Sequence, residues 1–404
     1  MNMSCPGLSV AVFLVVTCLS LHAPAKEAVI DFGPEEFVRA DGNDLVVPGY
    51  SVPSFEDWNN DHLKDLVVGE GGGGGSIPGK VRVYLNVGTE SDPCFVNHFY
   101  VQANGQDLTC PPQGCMGCFP RVFDWDGDNR KDLLVGLADG TVKIYLNIAS
   151  DNEPAFDGGQ NVMVGDQPAS LLDVGMRATP TMVDWNNDGK LDLVAGGVDS
   201  MIHVYYNCGC GGAVPPHFYT SPPAGMFAQA NGRDLQVPGL RSSPVIMDLD
   251  GDGNKDLLTG NTDGQILFYR NTGLDSLPMF AGYSLVRSGG QPIDLPGALR
   301  SRPFVSHWTG DGLSGPKDGY WDLLVGYGDG KVRLYRGIPK HGDLDGDGSI
   351  GCGDFTLLAE ALDQPVPPQG RSADLNSDGA VDILDLRIFA DLWLAEHRTA
   401  DASQ

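Results

Sequence analysis

Basic residues are scarce in this 404-residue chain: 26 Lys and Arg stand against 53 Asp and Glu, a formal charge of −27. Such a surface repels nucleic acid and anionic membranes, so no nucleic-acid partner is expected and a cation is the natural one. Long apolar runs are missing beyond the N-terminus, so no transmembrane segment is expected. The sequence has no GxSxG, HExxH or kinase-type motif to indicate those chemistries. The run Gly71 to Gly75 lacks the GK[ST] ending and following helix of a phosphate loop, and reads as a flexible hairpin insertion.

The apolar run Leu8 to Leu21 has signal-peptide length, and Ala23-Pro24-Ala25 supplies the small residues that a signal peptidase reads. Residues 1–25 are therefore expected to be cleaved and the protein to be secreted, whether extracellular, cell-surface or periplasmic. In that setting Cys94, Cys110, Cys115, Cys118, Cys208, Cys210 and Cys352 read first as local disulfides, the odd number leaving at least one thiol unpaired or bonded between chains. The CxxC of Cys115 and Cys118 and the CxC of Cys208 and Cys210 leave a zinc or redox reading open. No second CxxC or His pair completes four zinc ligands.

What the chain has in abundance is turn residues, 55 Gly and 28 Pro, beside 41% hydrophobic residues. Many short strands around a core follow from that balance, and the length calls for two or more units. One block recurs five times: PSFEDWNNDHLKDLVVGE at Pro53, PRVFDWDGDNRKDLLVGL at Pro120, PTMVDWNNDGKLDLVAGG at Pro180, PVIMDLDGDGNKDLLTGN at Pro244 and a degenerate copy at Pro303. Each is followed by an alternating strand pattern such as KVRVYLN or TVKIYLN, the whole recurring about every sixty residues.

Each repeat gives a short apolar strand ending at an acidic loop, a DLLVG-type strand and the alternating strand. Asp139-Gly140, Asp263-Gly264 and Asp329-Gly330 suit tight turns between the last two. A fourth strand is expected before each block, starting at Phe37, Phe99, Asn161, Phe227 and Ser284. Four strands per repeat is a propeller blade, so the fold is expected to be mainly β: a five-bladed β-propeller with a small α-helical EF-hand-like module. Because a fourth strand precedes the first block and none follows the last, residues Phe37 to Ala40 are expected to close the ring beside Lys331 to Arg336, removing exposed edges. An open arc of blades is the alternative.

Within four repeats, carboxylates and amides fall at loop positions one, three, five and nine: Asp57, Asn59, Asp61 and Asp65; Asp124, Asp126, Asp128 and Asp132; Asp184, Asn186, Asp188 and Asp192; Asp248, Asp250, Asp252 and Asp256. Alternate spacing turns such side chains toward one centre, and the relaxed six-to-eight-oxygen preference of Ca2+ suits the result better than Mg2+. In the fifth copy His307 and Thr309 replace the first two ligands, and an insertion separates Asp311 from Asp322, so little or no binding is expected there. Trp58, Trp125, Trp185 and Trp308 each follow the first loop position. Recurrence in one slot favours shared packing over sugar stacking.

This pattern resembles FG-GAP or VCBS repeats, as in the integrin α-subunit propeller, over residues 36–337. The resemblance implies that each loop joins a blade's first two strands and binds calcium. Seven blades are common in that family, against five repeats here.

After Pro339 the pattern changes. Asp343, Asp345, Asp347 and Asp354 take positions one, three, five and twelve of a loop with Gly348 at its sharp turn; Asp374, Asn376, Asp378, Asp382 and Asp385 mark a second, with Gly379 at the turn. Ile350 and Val381 at position eight are expected to pair. Helices are expected after each loop, with Phe355, Leu358 and Leu362 on one side of the first and Leu386, Phe389, Leu392 and Trp393 along the second. The duplicated loop-helix over Gly342 to Glu396 resembles a dockerin type I domain. The resemblance implies a cohesin-type protein partner, with Cys352, Thr356, Ile383 and Arg387 as candidate contacts, and a link to polysaccharide degradation; a calcium-stabilised tail without a cohesin is the plainer alternative.

The expected organisation is thus a signal peptide (1–25), a propeller (26–338), a dockerin-like module (339–397) and a disordered tail (398–404). The expected function is non-catalytic binding or adhesion to a glycan or protein ligand, with no catalytic residues. The alternative is a glycosidase or lyase whose acids lie outside the repeats, such as Glu56, Glu70 or Asp173.

Overall fold

The computed structural model describes residues 30–397 except 73–75, 113–116, 166–168, 210–214, 220–226, 296–299, 309–319, 339–341, 345–349, 363, 365–372 and 377–378. Only the backbone is described for 395–397, and the signal-peptide and C-terminal-tail expectations lie outside the described residues. The chain divides into two compact units, one spanning Val29–Ile338 and the other containing Pro339–Gln404.

The first unit is a five-bladed β-propeller. Its first strands, Ser51–Glu56, Phe119–Phe123, Thr179–Val183, Ser243–Met247 and Arg302–Ser306, contact one another in a ring around the axis. Antiparallel to each runs a second strand, Asp65–Glu70, Asp132–Gly136, Asp192–Gly196, Asp256–Gly260 or Asp322–Gly326, and then a third, Gly79–Tyr84, Val142–Tyr145, Ile202–Tyr205, Ile266–Tyr269 or Val332–Gly337. Every residue of the second strands is buried, because these strands are flanked within their blade and covered by the neighbouring blades. That explains their unbroken apolar DLLVG pattern where a half-exposed strand would alternate.

Blades meet through contacts repeated around the ring. A Cβ on Gly326 would collide with the carbonyl oxygen of Ser51 in the next blade, so the backbones approach at a distance only glycine permits; Gly69, Gly136, Gly196 and Gly260 sit in the same relation to the blade that follows each. Each indole of the recurring Trp packs on a phenylalanine of the following blade: Trp58 on Phe156, Trp125 on Phe218, Trp185 on Phe280, and Trp308 on Phe95 across the closure. All four indoles are buried, which gives their recurrence a packing cause.

The ring closes as a propeller must, by N-terminal residues pairing with the last blade. The pairing lies a few residues upstream of the expected segment: Asp31–Phe37 runs antiparallel to Val332–Gly337, with Glu36 opposite Leu334 and Phe37 opposite Arg333. Residues 39–44 instead form a two-stranded hairpin, Arg39–Ala40 with Asn43–Asp44, and equivalents follow at Gln102–Asp107, Met163–Leu171, Gln229–Asp234 and Arg287–Pro292. The expected single fourth strand is therefore an outer pairing followed by this hairpin. Its turns carried the signal, since Asn104-Gly105 and Asn231-Gly232 adopt successive positive φ angles of 50° and 71°, and 51° and 72°.

A disulfide joins Cys110 to Cys118, whose Cα atoms lie 5.5 Å apart. This overturns the pairing of Cys118 with Cys115 in a metal or redox CxxC. The reason is topological: the outer strand Thr109–Cys110 brings Cys110 beside the start of the second blade. Cys208 is also disulfide-bonded.

In the second unit, helices Cys352–Ala361 and Ile383–His397 enclose a small core of Ile350, Leu358, Ala373, Leu375, Val381 and Phe389, with Phe355, Leu386, Leu392 and Trp393 packed against it. Among the described residues no helix is long and apolar enough to cross a membrane.

Candidate metal sites

Each acidic loop leaves the end of a blade's first strand and returns at the second, where the ninth loop residue opens the ladder: Asp65 lies opposite Glu56 and Asp132 opposite Phe123. All four well-formed loops follow one backbone path. Their fourth and sixth positions have positive φ, as Asn60 and His62, Gly127 and Asn129, Asn187 and Gly189, and Gly251 and Gly253. Four of these eight are glycine and three asparagine, the residues that tolerate the left-handed region; His62, at 73°, is the costly exception.

Carboxylates of the loop hold that path. The position-one acid accepts the sixth residue's amide through its second oxygen: Asp57 from His62 at 3.1 Å, Asp124 from Asn129 at 3.0 Å, Asp184 from Gly189 at 2.8 Å and Asp248 from Gly253 at 2.9 Å. The position-five acid accepts the amide two residues on, as Asp61 from Leu63 and Asp128 from Arg130, both at 2.8 Å. The side chains are thus drawn inward before any ion is considered. Asp124, Asp126 and Asp128 each offer an oxygen within 4.8 Å of the others, and so do Asp248, Asp250 and Asp252. Asn59 and Asn186 put an amide in place of the third-position acid in the other two loops, keeping an oxygen donor at lower charge.

The donor set is oxygen-only, anionic and flexible in geometry, which fits Ca2+. Its electrostatics point the same way. Burial, with the charges of Asp252 and Asp248 adding to it against Arg270, pushes Asp250 up to about 6. The Arg270 guanidinium reaches Asp250 at 2.8 Å and Asp252 at 2.9 Å, so this loop already draws one cationic group; Lys190 does the same for Asp188 at 2.7 Å, and Arg130 pairs with Asp128.

Position nine behaves differently from what its spacing suggested. Asp65, Asp132, Asp192 and Asp256 are fully buried, and each uses both oxygens as a clip. Asp132 accepts the amide of Trp125 at 2.8 Å and that of Asn147, at the end of the third strand, at 2.7 Å. Asp65 holds Trp58 and Asn86, Asp192 holds Trp185 and Asn207, and Asp256 holds Leu249 and Asn271 in the same way. Burial raises Asp65, Asp132 and Asp192 to about 6 despite these amides, and raises Asp256 to about 8 with the charge of Asp250 adding to it. The degenerate fifth repeat keeps the clip, Asp322 accepting from Trp308 at 2.6 Å and Gly337 at 2.8 Å. There the imidazole of His307 stacks on Trp321, centroids 3.9 Å apart, in place of a position-one acid; Asp311 lies outside the described residues. A clip that persists where the ligand pattern has decayed is a folding element in its own right. The recurring Asn after the third strand was its signal in the sequence: Asn147 accepts the amides of Ala149 and Ala155 on its side-chain oxygen while its own amide meets Asp132.

The C-terminal loops repeat the device. Asp354 accepts from Leu344 at 2.5 Å and Gly351 at 2.7 Å, and Asp385 from Leu375 at 2.7 Å and Asp382 at 2.8 Å, so each position-twelve acid ties its loop to the start of a helix. Asp374 accepts the amide of Gly379, whose φ is 93°, at 2.8 Å. Asp343 and Asp374 are buried, Asn376 and Asp382 half-buried, while Asp345, Asp347 and Asp378 lie outside the described residues.

Residues 341–390 match the dockerin type I domain. Dockerin domains bind calcium, in keeping with the paired loops of this module. No curated protein matches the chain. Solved structures similar to it include the Photorhabdus luminescens Tc holotoxin pore (13% identity, TM-score 0.33, 76% of this chain and 15% of that one). Others are BBS1N in complex with ARL6DN soaked with lead (11%, 0.36, 77% and 98%) and soaked with mercury (14%, 0.33, 74% and 80%).

The acids considered for catalysis do not come forward as a pair. Glu70 is buried against Arg82 at 2.5 Å, Glu56 lies among Lys64, Lys131 and Arg121 with burial raising its pKa, and Asp173 is exposed and caps the amide of Gly175 at 2.7 Å.

Proposed function

We propose that this is a secreted calcium-binding protein in which a propeller of FG-GAP/VCBS type, residues 26–338, serves as a non-catalytic binding or adhesion module for a glycan or protein ligand. The module at 339–397 docks a cohesin-type partner, and the whole belongs with polysaccharide catabolism. The single observation that carries the reading is one acidic loop path repeated four times, with three carboxylate oxygens converging in two of the loops, which supports a cation as the partner of the recurring acids. The dockerin match supports the docking role, and the exposed Thr356, Ile383 and Arg387 with half-buried Cys352 are the contacts to test.

Purified protein incubated with a polysaccharide panel in calcium tests the propeller: retention without products is the expected result, and release of oligosaccharides would replace this reading with a glycosidase or lyase. Calcium-dependent capture by a type I cohesin tests the tail. Failure of capture leaves a calcium-stabilised module without a docking role.

A further inference from the structure

The propeller's other face carries a feature unrelated to the acidic loops. Those loops follow the C-terminal ends of the first strands; three residues before the proline of each block, near the strands' N-terminal ends, stand Tyr50, Gly117, Arg177, Arg241 and Arg300, with Arg302 one residue before the last proline. Five residues of strand, about 16 Å, separate the two ends. In a chain with twice as many acids as bases, one mouth of the axis is thus lined by arginines.

A cavity of about 20 Å³ lies there, bounded by residues of the second to fifth blades including Phe119, Arg177, Arg241, Arg300 and Arg302. The first blade adds the ring of Tyr50, with the Arg300 and Arg302 guanidinium carbons 4.5 and 4.6 Å from its centroid. Arg302, 4% exposed, donates to the carbonyl of Arg300 at 3.3 Å. Buried donors with no hydrogen-bond partner among the described residues lie beside it: Nη1 of Arg241, and both Nε and Nη1 of Arg300. None of Arg241, Arg300 and Arg302 makes an ion pair among the described residues. Buried guanidinium donors without acceptors are costly, and costly groups clustered in one cavity are the signature of a partner that arrives later. The backbone adds to that cost, with φ of 59° at Arg241 and 93° at Arg300.

We infer that this axial mouth is a binding site for a single oxyanion group, a carboxylate or a sulfate, held by Arg241, Arg300 and Arg302. Guanidinium forks match the paired oxygens of such groups, and the rings of Tyr50 and Phe119 hold the forks from behind. The cavity has room for little more than one or two waters, so it takes a terminal acidic group while the rest of the ligand lies outside. This names the ligand chemistry of the binding module proposed above and rests on that reading.

Calorimetry on the full chain in calcium, titrated with sodium sulfate, galacturonate and neutral galactose, tests it. Saturable binding of galacturonate or sulfate and none of galactose is expected, the stronger of the two naming the group. The doubly substituted R241G/R300G chain, which removes both side chains and relieves both positive φ angles, should bind at least about tenfold more weakly. R300K, which keeps the charge and loses the fork, serves if the double variant does not fold, and should also weaken binding. No oxyanion binding, or binding indifferent to these substitutions, overturns the inference. Retention of neutral polysaccharide alone would sink it while leaving the binding-module reading intact; arginine-dependent sulfate binding together with released oligosaccharides would do the reverse.

Discussion

Ser51 and Tyr327, 276 residues apart in sequence, close the ring: the Ser51 hydroxyl accepts the amide of Tyr327 at 2.8 Å and donates to the carbonyl of Lys331 at 2.5 Å. Ser242 and Ser301 make the same pair of bonds to the blades before them, accepting from Gly197 and Asn261 at 3.1 Å and donating to Met201 and Gln265 at 2.7 and 2.6 Å. A side-chain staple recurs where two backbones come closest.

That closeness makes the adjoining glycine the sharper test. Gly326→Val would drive a side chain into the Ser51 carbonyl, where backbone cannot yield, and should cost about 1–3 kcal/mol or more in urea unfolding. Ser51→Ala removes one hydroxyl and should cost about 1–2 kcal/mol. Equal, negligible effects would mean that the first and last blades do not abut.

Position nine and position three of one loop separate folding from ion binding. Asp132→Ala strips acceptors from two buried amides and should cost about 2–4 kcal/mol with calcium or with chelator. Asp126→Ala should change little in chelator and lower the melting temperature only in calcium. The clip and ligand roles would be wrongly divided if the two variants behaved alike in chelator.

Calcium removal should lower the melting temperature of the whole chain. An ion at a hundred times its dissociation constant adds about 2.7 kcal/mol per site to the state that binds it, so several loops acting together give a large shift. Differential scanning calorimetry with calcium and with chelator reads it directly, and an unchanged melting profile would remove the metal from the account.

Peptide mapping of the unreduced protein should recover Cys110 linked to Cys118. Cys115→Ser should leave that link and the stability unchanged, whereas Cys110→Ser should destabilise the chain by about 2–4 kcal/mol. Zinc bound stoichiometrically and lost in Cys115→Ser would restore the metal reading of the CxxC.

Repetition is what made this fold readable. Five copies of one block state the number of blades, the phase of the outer strand states where the ring must close, and the Asx spacing states where oxygens gather, because all three are properties of neighbours along the chain. The Asn-Gly hairpins are written there too, inside the segments that read as single longer strands. What only the folded chain decides is which distant groups meet. Asp132 reads locally as a ligand, yet its oxygens accept amides that follow the first and third strands of its own blade; Cys118 reads as the partner of Cys115 until the outer strand delivers Cys110. Arg241 and Arg300 are ordinary surface residues in their own repeats. They become one cationic pocket only because five first strands converge on an axis, and convergence of this kind leaves no trace in local spacing.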